Sequence, residues 1–132
     1  MPYIADMKKA NDLQQAMKLV GNGQCVALIH AVAVVPPTTL WSQGDPVMKN
    51  TGIVPGTVIA TFDANGRYGN HTDGTSHAAV YLGQTKDGIL VLDQWKGSTR
   101  KLDHAPQPRL IRFAHSRPAQ KVDQGDQYYV VK

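Results

Sequence analysis

The sequence contains no glutamate; all ten of its acidic residues are aspartates. Any carboxylate role must fall to one of them. It has a single cysteine, Cys25, which excludes an internal disulfide. No apolar run approaches the ~20 residues needed to cross a bilayer as a helix, so no membrane span is expected. The opening Met1-Pro2-Tyr3-Ile4-Ala5-Asp6 lacks the basic start and apolar stretch of a secretory signal. The expectation is a protein made in the cytoplasm, for which action outside the producing cell needs a signal-independent export route. Repeats, low-complexity segments and linkers are also lacking. The 132 residues, 42 % hydrophobic, suit one domain spanning 1–132 with a modest core.

Positive charge is present and unevenly placed. The net charge is +4, yet Lys96, Arg100, Lys101, Arg109, Arg112, Arg117 and Lys121 face only Asp103 across residues 96–122. That stretch favours an acidic partner or an ordinary solvated surface. It carries no recognition-helix or aromatic-interleaved basic motif, so nucleic acid is not an expected partner.

Ala10, Leu13, Met17 and Val20 recur at helical spacing, predicting a helix from about Asp6 or Asn11 to Val20 that Gly21 stops. Asn11 and Gln14 form a weak capping pattern. A second helix begins at Cys25, and its all-round apolar run, closed by Pro36-Pro37, belongs in a core against a sheet. Residues 36–56 read as a loop, in which Trp41 either folds onto the core, the favoured reading, or lines a site. Strands are expected at 57–62, 77–83 and 89–95, the last two joined by an Asp-Gly hairpin turn, with weaker ones at 110–113 and 127–131. Between Asp63 and Ser76 lies a polar loop. Helices followed by antiparallel strands predict an α+β fold, with N-terminal helices packed on a central antiparallel β-sheet.

Cys25 follows the glycine-rich turn Gly21-Asn22-Gly23-Gln24 directly. In the first helical turn, unpaired N–H groups and the helix dipole stabilise a thiolate, which makes the thiol a nucleophile. A cysteine nucleophile needs a base and a third group to orient that base. His77 starts one strand of the hairpin and Asp93 lies near the end of the other. Pairing centred on Lys86 and Asp87 puts His77 opposite Lys96, with Asp93 within a few residues; a bulge would tighten the approach.

Four blocks carry a resemblance: Gly-Gln-Cys-Val-Ala-Leu-Ile at 23–29, Pro-Gly-Thr-Val-Ile-Ala-Thr-Phe at 55–62, Ser-His-Ala-Ala-Val-Tyr-Leu-Gly at 76–83 and Ile-Leu-Val-Leu-Asp-Gln-Trp at 89–95. Together they resemble the cysteine, histidine-dependent amidohydrolases/peptidases and their NlpC-type relatives, small papain-like folds that cleave amide bonds in bacterial peptidoglycan. In particular the chain resembles the small amidase effectors that bacteria inject through type VI secretion. The resemblance implies Cys25 as nucleophile, His77 as base and Asp93 as orienting residue, with Gln94 the alternative third member. It implies no cofactor and no metal, a peptidoglycan stem peptide as substrate, and action in a target cell's periplasm or wall. A producer of such a toxin needs an immunity protein.

Each residue also has an ordinary reading. A free cysteine is often a small buried hydrophobe, a lone histidine at a strand start is often surface, and an aspartate there can cap a turn. A zinc site from His71, Asp73, His77 and Cys25 is the rival chemistry, although the spacing matches no common zinc motif. His30 falls 140° round the helix from Cys25, facing away from it. His104 and His115 lie among prolines and basic residues and are expected to be exposed. A silent binding module of the same fold and an acyltransferase using the same residues remain alternatives.

Overall fold

The computed structural model describes residues 2–132. Helix α1 spans Met7–Ala16 and helix α2 spans Cys25–Val32. Six strands follow among the described residues: β1 (Gln43–Pro46), β2 (Val58–Thr61), β3 (Ala78–Gln84), β4 (Gly88–Trp95), β5 (His104–Arg112) and β6 (Tyr128–Val131). They form one sheet in the order β1-β6-β2-β3-β4-β5, with every neighbouring pair antiparallel. This is the expected α+β arrangement, helices first and an antiparallel sheet after them.

The helix boundaries follow capping chemistry. Asp6, not Asn11, caps α1: its side chain accepts from the Lys8 and Lys9 amides. The helix stops at Met17, in a left-handed conformation at φ 56°, four residues before Gly21. Helix α2 ends at Val32, short of the prolines. It packs its Leu28, Ile29 and Val32 against Val58, Ala60, Ala78, Val80 and Leu92 of the sheet. Trp41 is fully buried in this cluster, as its loop position suggested, and its Nε1–H donates to the Pro36 carbonyl. The opposite sheet face buries Ile59, Ala79, Tyr81, Ile89, Val91, Ile111 and Tyr128.

Two sheet features bear on the site. Strand β5 is longer than the 110–113 expected, starting at His104 and running through Pro106 and Pro108. Prolines argue against a central strand, but β5 is an edge strand, where a missing N–H is tolerated. Between β3 and β4 the pairing is Gln84↔Ile89 and Gly83↔Leu90 near the turn, then Tyr81↔Val91 and Val80↔Leu92. Leu82 is the extra residue of a bulge. Without it, pairing from the turn would set Asp93 against Val80, on the face opposite to His77. The bulge slips the register by one residue, so that extension of the pairing puts Asp93 against Ala79, on the same face as His77. His77 thus aligns with Trp95, not with the expected Lys96.

Candidate active site

Cys25 is the first residue of α2, and the Gln24 cap contributes no side-chain hydrogen bond. The first N–H groups of the helix lie outside its own ladder. Fully buried Gln94 pins the turn ahead of it. Its amide donates to the carbonyls of Val20 (3.0 Å) and Gln24 (2.8 Å), and its oxygen accepts from the Val20 N–H (2.8 Å). Gly23 passes through this turn at φ +84°, where a Cβ would crowd Leu19 and Lys96.

His77 immediately precedes β3. Its backbone is held by Thr61, whose hydroxyl accepts from the His77 N–H (3.1 Å) and whose N–H donates to the His77 carbonyl (3.0 Å). Its Nε2 lies 2.7 Å from Asp93 Oδ2, which leaves Nδ1 for the thiol. Tyr128 presents its ring edge-on to the imidazole at 6.5 Å. Asp93, with no exposed surface, also accepts from Arg109 Nε at Oδ2 (2.8 Å) and from His104 Nε2 at Oδ1 (3.0 Å). The Tyr68 hydroxyl lies 3.7 Å from Cys25 Sγ.

The electrostatics follow from these contacts. Burial pushes the Cys25 thiol up, but the hydrogen bond and charge of His77, with lesser help from the Ala78 backbone and Tyr68, outweigh it and bring the thiol below its ordinary value. Burial pulls His77 down, yet its hydrogen bonds to Asp93 and Cys25 raise it to about 9. Burial likewise opposes ionisation of Asp93, but His104, His77 and Arg109 hold the carboxyl well below the usual range. Burial and the neighbouring Cys25 raise Tyr68, which keeps its proton available for donation to sulfur. The arrangement can hold a thiolate beside an imidazolium, backed by a buried carboxylate.

This centre opens into a cleft of about 850 Å³ lined in part by Gln24, His77, Trp95, Lys101 and Arg109. His77 and Asp93 meet as the sequence suggested, and Gln94 turns away from His77 toward the loop before α2. His71 bonds Asp63 at 2.8 Å and Asp73 bonds Thr75, so the rival zinc set does not assemble. Among the described residues, no group of three or more His, Cys, Asp or Glu side chains is placed to hold a metal ion. His30 is exposed, and His115 is exposed as expected. His104 is not: only 9 % exposed, it stacks on Trp95 at 4.0 Å and bonds Asp93, because β5 starts earlier than its prolines suggested. Arg109 is likewise drawn out of the basic surface by Asp93. Sequence reasoning also missed Tyr68, whose loop position carries no signal; its ring is buried against Trp41 and Phe62.

The family described as domesticated amidase effector 2 matches residues 5–131. A type VI secretion amidase effector 2 protein of Salmonella typhi is 48% identical over 101 residues, covering 76% of this chain and 73% of its own length. The solved structure of a type 6 secretion amidase effector 2 (Tae2) superposes with a TM-score of 0.74 at 40% identity, covering 89% of each chain.

Proposed function

The chain belongs to the domesticated amidase effector 2 family, and we propose that it hydrolyses amide bonds in the stem peptides of bacterial peptidoglycan, using Cys25 as nucleophile. The observation that carries this reading is the buried His77–Asp93 pair, 2.7 Å apart, next to a Cys25 thiol that His77 helps to hold below its ordinary value. The Cys25 thiolate attacks the amide carbonyl, forming an S–C bond. The Cys25 N–H, at the helix start, is the candidate donor to the oxyanion that develops. His77 gives its Nδ1 proton to the leaving nitrogen as the C–N bond breaks, which leaves a thioester. His77 then takes a proton from water, whose oxygen displaces sulfur and releases the new carboxylate. Asp93 keeps the imidazole aligned throughout.

On this reading the protein is an antibacterial effector, exported to act on a target cell's wall and accompanied in its producer by an immunity protein. No helix among the described residues is long and apolar enough to cross a membrane. The test is mass analysis of purified peptidoglycan digested with the protein. New amine and carboxyl ends with one water added per cut are expected, and none with Cys25→Ala. Equal digestion by Cys25→Ala removes the cysteine mechanism.

A further inference from the structure

Asp93 has two oxygens and three donors. Oδ2 serves His77 and Arg109, while the partner of Oδ1 is His104, at 3.0 Å. The His104 ring is fixed in plane by Trp95, stacked at 4.0 Å and 11°. Its other nitrogen, Nδ1, lies 3.2 Å from the Gln107 side-chain amide. That amide nitrogen can only donate, so Nδ1 accepts and the proton sits on Nε2, aimed at Asp93.

We propose that His104 is a positioning residue for the amide hydrolysis proposed above: with its tautomer set by Gln107, it clamps Asp93 Oδ1 so that Oδ2 stays directed at His77. Loss of the clamp frees the carboxylate to rotate, and His77 loses its alignment with sulfur.

The test compares His104→Phe, which keeps a ring on Trp95 but no N–H, with His104→Gln, whose amide can still donate. Peptidoglycan-fragment hydrolysis and Cys25 alkylation by iodoacetamide at pH 7 are measured, with thermal unfolding to confirm folding. His104→Phe is expected to lower kcat about tenfold with KM unchanged, since small misplacements of a reacting group cost rate without costing binding. Alkylation slows in parallel, and His104→Gln recovers most of both. Gln107→Leu, at an exposed position, is expected to cost about threefold in each, the worth of one hydrogen bond. Wild-type kcat and alkylation in a folded His104→Phe overturn the proposal, as does an equal loss in the Phe and Gln variants. Should His104→Phe not fold, unchanged rates in Gln107→Leu overturn it alone. Alkylation needs no substrate, so the comparison still judges His104 if the wild-type protein cuts no peptidoglycan.

Discussion

Asp93→Asn is the most informative single substitution. The carboxylate is wholly buried and receives donors at 2.7, 2.8 and 3.0 Å. Asparagine is isosteric and keeps one acceptor oxygen, which can stay with His104. Its amide nitrogen cannot accept from either His77 or Arg109. Removing one partner of a buried ion pair costs ~3–5 kcal/mol, and the retained oxygen puts the expectation at the lower end, ~3 kcal/mol. Against a total stability of ~5–15 kcal/mol the variant still folds. For a domain of this size the melting temperature drops by about 10 °C. The assay is thermal unfolding across pH. The Asp93 carboxyl is held below its ordinary value, so its stabilisation is complete above the unfolded value near ~4 and is lost as pH falls toward the folded one. The part of the gap that comes from ionised Asp93 is therefore lost below about pH 4. A gap under ~1 kcal/mol at pH 7, or one that does not narrow below about pH 4, refutes the reasoning.

The remaining expectations concern the same centre and its surroundings. His77, raised to about 9 from an ordinary 6.5, contributes stability that is complete below the ordinary value and lost as pH rises through about 9. Amide hydrolysis is accordingly expected to fall above about pH 9, where no imidazolium remains to protonate the leaving nitrogen, while iodoacetamide alkylation of Cys25 does not fall; parallel profiles would remove His77 as the acid. Tyr68→Phe deletes a hydroxyl 3.7 Å from Sγ and is expected to slow alkylation at pH 7 by about threefold with little change in melting temperature; an unchanged rate would make Tyr68 a packing residue only. Wall binding is expected to weaken as salt rises, because exposed charges are screened over ~10 Å at 0.1 M. It should weaken again in Arg100→Glu, Arg112→Glu and Arg117→Glu, exposed and outside the cleft lining, with short-peptide hydrolysis much less affected. Arg109 is left out of that set, since it holds Asp93.

The local elements were readable from the chain because their causes are local. A glycine turn before an apolar run starts a helix at Cys25, and the Asp-Gly turn between β-branched runs makes the hairpin that carries His77 and Asp93. Alternation and apolar runs likewise placed the core. Tertiary structure decided what distance along the chain hides. The Leu82 bulge sets His77 and Asp93 on one face, since side chains alternate with period two and one extra residue reverses the set. The edge position of β5 let its prolines extend rather than end the strand. That extension carried His104 and Arg109 from an expected basic surface to the buried carboxylate. Tyr68 reached sulfur only because its loop folds back over Trp41 and Phe62. Gln94, a neighbour of Asp93 in sequence, points to the opposite side of the strand and secures the turn that presents Cys25.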